Sequence, residues 1–368
     1  MPKLEEYCEV RTTGGVFRDW INVAVEQSFG NPNWMRTFRL IVAEPSEHLQ
    51  LRLKPGDRVD IALAGKVVIQ EGYISRRQAA IAPQQHLVQI EGYSKAGTIT
   101  EASVDVPGGQ FRNYSVDAIA KRVLQPYGLN FKVENGPEGW QEKFPNVSVR
   151  YGETPFDLVS RLCSQRGLWL HADESGNLIA GPKSGGGAMF AEGVNILAAN
   201  CMIEMPSVAS LVGSSQAQGS DSLFGKKAAE IQAKTDVSGG PKGTKRIVLA
   251  EMPLTQKELQ ARVNMEAAAL AASQLRVSLT YQGWLNPSGS LWNLGESVTV
   301  RSPALFPIQG GQMELRLWGY VYSQDVAGGT TTTLELVNAG AFQQKYSDGQ
   351  QSDSFYQAIP PAQPEQPT

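Results

Sequence analysis

The chain has 368 residues, with 33 lysines and arginines against 36 aspartates and glutamates for a formal net charge of -3; the length suits about two to four domains with ample core, and the balanced charge excludes a general nucleic-acid binder or a polyanionic tail. Its three cysteines, Cys8, Cys163 and Cys201, are far apart and outside any Cys-x-x-Cys pair, which excludes a disulfide framework and fits a reduced compartment. No apolar run approaches the ~18 residues of a membrane span and the N-terminus lacks a signal-peptide core, so the chain is expected to be made in a cytoplasm without inserting into a membrane.

Residues 1–105 read as strands at 7–12, 20–26, 37–42, 58–63, 66–76 and 86–93, with turns at Gly14-Gly15, Asn31-Pro32-Asn33, Lys54-Pro55-Gly56-Asp57 and Ala64-Gly65. They are expected to form a first β-barrel domain. Residues 106–190 change to helical spacing. Ser115-Val116-Asp117 opens a segment with Ile119, Val123 and Leu124 on one face, and Pro126-Tyr127-Gly128 ends it. Thr154 is an N-cap, Pro155 suits the first helical position, and Asp157 complements the dipole of a second helix that Gly167 terminates. A tight turn at Glu174-Ser175-Gly176-Asn177 completes a small α/β insert domain. In 191–253 the β pattern returns, read as strands of a second barrel region with a mobile loop at 221–245. The capping box Thr255-Gln256-Lys257-Glu258 starts an Ala-rich helical insert, 254–275. Residues 276–342 read as the closing part of the second barrel, and 343–368, which lack periodicity, as a flexible tail.

The two β regions repeat each other. Gly56-Asp57-Arg58-Val59-Asp60-Ile61 returns as Gly295-Glu296-Ser297-Val298-Thr299-Val300, and Gly72-Tyr73-Ile74 as Gly319-Tyr320-Val321. The alternating run 86–90 has its counterpart in 333–337, each followed by Ala-Gly. The fold class expected is mainly β with α/β inserts (α+β), two related antiparallel β-barrels plus small α/β domains.

Chemistry is hard to find. His48, His86 and His171 have no second ligand at metal spacing, and Gly92-Tyr93-Ser94-Lys95-Ala96 lacks the last glycine of a nucleophile elbow. Gly181 and Gly186 have phosphate-loop spacing, but Gly187-Ala188 stands where Lys and Ser or Thr are required. No catalytic, cofactor-binding or metal residue is expected. Two alternatives stay open: a wall hydrolase using acids such as Asp57, Asp60, Glu71, Glu296 or Asp325, and a carbohydrate- or receptor-binding module using Trp284 and Trp292, which packing under the Asn286-Pro287-Ser288-Gly289 loop explains as well.

The run Tyr151-Gly152-Glu153-Thr154-Pro155-Phe156-Asp157-Leu158-Val159 through Gly167-Leu168-Trp169, with Trp292-Asn293-Leu294-Gly295-Glu296 at the start of the closing β region, resembles the tail hub proteins of contractile-tailed phages, the late-control family, and the VgrG spike of type VI secretion. The similarity covers about residues 1–342 and is strongest to Mu-like baseplate hubs. It implies a non-enzymatic homotrimeric ring in the virion baseplate, assembled in a bacterial cytoplasm, with the tail tube and neighbouring baseplate proteins, a central spike protein, and DNA passing through without specific binding as partners. Three copies of a chain with two related units would stack on a sixfold tube. The sequence stops after a short tail, so spike and wall-cutting functions are expected on other proteins. Uncharged stretches such as Thr330–Thr333 and Ser214–Gln218 suit a non-gripping conduit, whereas a clustered face of Arg76, Arg77, Lys242, Lys245 and Arg246 would oppose it.

Overall fold

Buried and open side chains alternate along strands such as Asn22–Ser28, so each strand has one face committed to a core. The computed structural model describes residues 6–30, 33–43, 53–82, 85–215, 231–250, 254–307 and 310–342. The first region contains β1 (Cys8–Thr12), β2 (Gly15–Phe17), β3 (Asn22–Ser28), β4 (Thr37–Ala43), β5 (Arg58–Leu63), β6 (Lys66–Ala82) and β7 (Gln85–Tyr93). Next come β8 (Gln110–Tyr114), α1 (Val116–Leu124), β9 (Phe131–Val133), β10 (Phe144–Ser148), α2 (Pro155–Gln165), β11 (Leu170–Ala172) and β12 (Leu178–Ala180). Then follow β13 (Gly186–Ala191), β14 (Ala198–Ile203), β15 (Ser210–Ser215), β16 (Ile231–Asp236), β17 (Lys245–Leu249) and α3 (Gln256–Gln274). Strands β18 (Leu275–Gln282), β19 (Ser297–Arg301), β20 (Gln312–Asp325) and β21 (Gly329–Asn338) finish the described fold.

Thirteen strands belong to one sheet, in the order β14-β18-β21-β20-β3-β4-β7-β6-β5-β1-β2, with β19 attached to β20 and β13 to β19. The sequence repeat is a repeat of topology. The meander β5-β6-β7 matches β19-β20-β21, β4 flanks β7 as β18 flanks β21, and β3 flanks β4 as β14 flanks β18. Two separately closed barrels are not what the ladders give. Strand β20 pairs with β3 from Gly319↔Ser28 to Asp325↔Asn22, so the two units share one continuous sheet over one core. Apolar alternation dictates which face of a strand is buried, but not which neighbour it takes.

Gly92 sits at a close crossing in this sheet. A Cβ there would lie 2.1 Å from the Tyr73 carbonyl oxygen and 2.4 Å from the Phe38 ring. We expect Gly92→Ala to cost about 3 kcal/mol by overpacking, read as a lowered urea midpoint at unchanged m-value.

The insert has its own core, built from α1, α2 and short strands, in which Trp34 stacks on Phe156 at 4.1 Å. Thr154 caps α2 by accepting from the Asp157 N–H at 3.1 Å, and Gly167 leaves it at φ 68°. Residues 186–190, expected in the insert, instead belong to the large sheet, where β13 lies parallel to β19. Strands of the 191–253 region also divide: β14 joins the large sheet, while β16-β15-β17 form a separate sheet. Helix α3 covers one face of that sheet, with Leu259, Val263 and Ala267 packed against Leu211, Ala233 and Val248. Of the expected loop 221–245, residues 221–230 lie outside the described residues and Ile231–Asp236 is a strand. Its two buried positions, Ile231 and Ala233, are set among polar residues, so the period-two signal was weak. The tail 343–368 lies outside the described residues.

Candidate functional site, an open sheet face between two free edges

Eight consecutive strands, β6-β7-β4-β3-β20-β21-β18-β14, run across the large sheet. One face packs on the core, and the register determines the other. A cross-strand row reads Arg76, Glu91, Arg39, Ala24, Ser323, Thr331 and Gln282; the next reads Thr37, Glu26, Val321, Thr333, Thr280 and Ala198. All are exposed or half-buried. Arg39, Arg76 and Arg276 on this face are balanced by Glu26, Glu91 and Glu335. Several side chains are bonded laterally: Arg76 lies 3.7 Å from Glu91, Thr37 Oγ1 donates to Glu26 at 3.3 Å, and the hydroxyls of Thr280 and Thr333 meet at 2.9 Å. Arg316 shares a row with Val337 and Arg276, and among the described residues the result is a polar wall of interleaved arginines, glutamates and threonines. Thr331 and Thr333 lie on it as the composition suggested, but Thr330 and Thr332 are buried. Ser214 and Ser215 belong to the separate sheet, and 216–218 lie outside the described residues.

Both ends of the eight-strand run are open. Strand β5 pairs with β6 only from Lys66 to Tyr73, and β7 takes the other side from Tyr73 to Ala82. Among the described residues nothing pairs with the outer edge of β6 beyond Tyr73. Among the described residues β14 pairs with β18 alone, and it exposes Met202 and Ile203. Such edges are templates for another strand.

A buried polar joint ties the two units and the insert together. Gln27 Oε1 accepts from Arg36 Nε at 3.1 Å and from the Tyr320 hydroxyl at 2.9 Å, while its Nε2 donates to the carbonyls of Trp34 and Ala172 at 3.1 and 2.6 Å. Arg36 Nη1 also donates to the Val68 carbonyl at 2.6 Å. Beside the joint, His171 packs edge-on against Phe29 at 5.1 Å, and its Nε2 has no hydrogen-bond partner. Burial, reinforced by the Arg36 charge, pushes the His171 pKa down from 6.5 to about 4. The unfolded chain takes up this proton near pH 6.5 and the folded chain resists it. The contribution is therefore full above pH 6.5 and is lost as pH falls toward 4, about 3 kcal/mol in all. Comparing unfolding of wild type and His171→Leu at pH 7.5 and 4.5 should show wild type losing most of that stability in acid.

The residues considered for chemistry do not converge. Of the histidines, His48 lies outside the described residues and His86 is on β7. Asp57 caps a turn by accepting from the Lys54 N–H, and Asp60 accepts from the Glu71 N–H. Glu71 is paired with Lys95 at 2.9 Å, which holds its carboxyl below the usual range. Glu296 accepts from Asn293, and Asp325 caps its own hairpin turn through the N–H of Ala327 and Gly328. Gly181 turns beside the Glu134 carbonyl and Gly186 beside Ser297, in backbone packing roles. The segment after Gly92 continues into a 3-10 turn, Lys95–Ile99. Arg76 and Arg77 lie on β6, whereas Lys245 and Arg246 lie on β17 of the other sheet. Trp284 and Trp292 are 1% exposed and donate to Ser323 O and the Tyr281 hydroxyl, so they are core and not a binding platform. Among the described residues no group of His, Cys, Asp or Glu could hold a metal, and no helix is long and apolar enough to cross a membrane. Sequence reasoning missed the two free edges and the Gln27 joint; for the edges the one available signal was the repeat itself.

Comparison with known proteins gives the arrangement its context. Residues 96–181, spanning the insert, match the family described as "Baseplate hub protein gp44-like, second domain". Over 297 residues the chain is 23% identical to baseplate hub protein gp44 of Escherichia phage Mu, covering 79% of this chain and 78% of that protein. The crystal structure of the 43 kDa tail protein of prophage MuSo2 from Shewanella oneidensis has the same fold, with TM-score 0.76 at 23% identity over 92% of this chain and 99% of that one. A tail protein from Neisseria meningitidis MC58 follows at TM-score 0.74 and 16% identity, with 91% and 97% covered. These relatives are hub and tail proteins and not enzymes. With the stretch that matches the gp44-like second domain lying between the two repeated β units of the large sheet, the chain is similar in sequence and in fold to Mu-like baseplate hub and tail proteins.

Proposed function

We propose that three copies of the chain close into a ring at the centre of the baseplate, joining the tail tube to a central spike and surrounding the path of the DNA. One observation carries this reading. Within the chain β20 pairs with β3, and the internal repeat makes β6 the counterpart of β20 and β14 the counterpart of β3. The edges left free are therefore the counterparts of a pair that already meets inside the chain. Repeating that contact between copies, β6 of one on β14 of the next, extends the sheet head to tail, and a head-to-tail contact closes when its rotation divides a full turn. Three chains supply six related units, which suits a sixfold tube, and the barrel expected of each unit becomes part of one shared wall. On this reading 1–105 and 276–342, with β13 and β14, are the wall-forming units, and the stretch 106–183 and the small sheet with its helix 254–275 are the inserts.

The open face would then line the passage. A conduit must release its cargo, and a wall of interleaved arginines, glutamates and threonines lacks the unopposed positive charge that counterion release requires. We expect no gel shift of duplex DNA near 100 mM salt at protein concentrations up to ~10⁻⁵ M, where a dedicated non-specific binder has ~10⁻⁴ to 10⁻⁶ M affinity. Tight, salt-sensitive retention would remove the conduit from the proposal.

A further inference from the structure

We infer that the ring docks on the tail tube through two apolar hairpin tips, Ile81 near the β6–β7 turn and Val326 in the β20–β21 turn. This rests on the hub reading above. The register puts both tips at the same end of the sheet. Arg76 and Ser323 share a cross-strand row, and from that row β6 and β20 run in the same direction to their turns. The opposite end is where the inserts attach: β7 leaves it at Tyr93 toward the gp44-like domain, β14 leaves it at Ile203 toward the small sheet, and α3 returns there into Leu275. Turn tips ordinarily carry polar residues, yet Ile81 is 82% and Val326 87% exposed. Their flanks, Ala79 and Ala80 in one and Ala327-Gly328-Gly329 in the other, are uncharged. Asp325, the nearest acid, is turned onto its own hairpin N–H groups.

The occupant that fits is a ring of identical subunits presenting one apolar cleft per subunit, because the repeat places one tip on each unit and three chains carry six. The hairpins differ in reach: Tyr73 pairs with Tyr93 but its counterpart Tyr320 pairs with Leu334. The first is longer by three residues per strand, roughly 10 Å, but Ile81 precedes the end of β6 whereas Val326 lies in its turn, so counted from Tyr73 and Tyr320 the two anchors differ by about one residue, ~3 Å, and the six sit at nearly one level.

The test uses the whole chain in its own phage. A lysogen lacking the gene is supplied with wild type, Ile81→Ser, Val326→Ser, the double variant or Met205→Ser, an exposed apolar residue just past the insert-bearing end of β14. Tube-bearing tails are counted by negative-stain microscopy, and each purified protein is weighed by mass photometry. Because an Ile or Val side chain gains appreciably on burial and six sites act together, each single variant should lower the count about tenfold and the double variant should abolish tubes, with unchanged mass and with Met205→Ser at wild-type level. Normal tails from the double variant overturn the inference. So does loss of its oligomeric mass, which would assign the tips to contacts between subunits. A wild-type chain that never enters tails sinks the hub reading itself, and the inference with it.

Discussion

A proline at one of two neighbouring positions on β14, Asn200 or Cys201, is expected to convert the proposed trimer, about three times 39.9 kDa, into a folded monomer. Successive residues of a strand direct their N–H groups to opposite sides, so one of the two positions donates into the β18 ladder and the other toward the free edge. Proline at the inward position removes a ladder bond and should cost about 3 kcal/mol or more of monomer stability. Proline at the outward position leaves the β18 ladder whole and strips a donor from the edge that the next copy's β6 would use. Mass photometry with circular dichroism separates these outcomes: one variant folded with mass near 40 kDa, the other destabilised. If both prolines leave a trimer, the contact between copies is elsewhere and the shared wall is wrong. A wild-type protein that is monomeric at micromolar concentration also counts against the ring.

The second large effect belongs to the polar joint. Gln27→Leu is close in size, yet it removes the acceptor of Arg36 and Tyr320 and the donor to the Trp34 and Ala172 carbonyls. Gln27 is 2% and Arg36 6% exposed, so water does not readily replace those bonds. Each buried group left unsatisfied costs about 1–3 kcal/mol, more for the guanidinium, which puts the total at about 4 kcal/mol, a large share of a normal folding free energy. Because the joint connects both units with the insert, the loss should appear in urea melts and as earlier proteolytic release of the insert. Gln27→Glu keeps the acceptors but loses the two donors, and should fall between the two. A Leu variant within about 1 kcal/mol of wild type would mean that the joint relaxes to find other partners.

Much of this protein was legible from its residues. Strand alternation in 22–26, 37–42 and 58–63, the Thr154 and Thr255 caps, and the Gly128 and Gly167 stops are local signals, each decided by the few residues around it. The repeat was legible too, because matched glycines and matched alternation survive wherever two units need the same turns and the same buried face.

Partnership between distant segments was not legible. Nothing in the sequence of β20 distinguishes a strand that ends its own barrel from one that continues into β3, since either neighbour satisfies the same backbone groups and the same buried face. For the same reason β15–β17 read like more of the second barrel until α3 was seen to cover them. Gln27, Arg36 and Tyr320 look like ordinary strand and turn residues in the chain, and become one network only where β3, β20 and the insert meet. The free edges are the extreme case. An unpaired edge is defined by a strand that is not beside it, and only the ladder of the sheet, with β6 and β14 at its open ends among the described residues, can decide that.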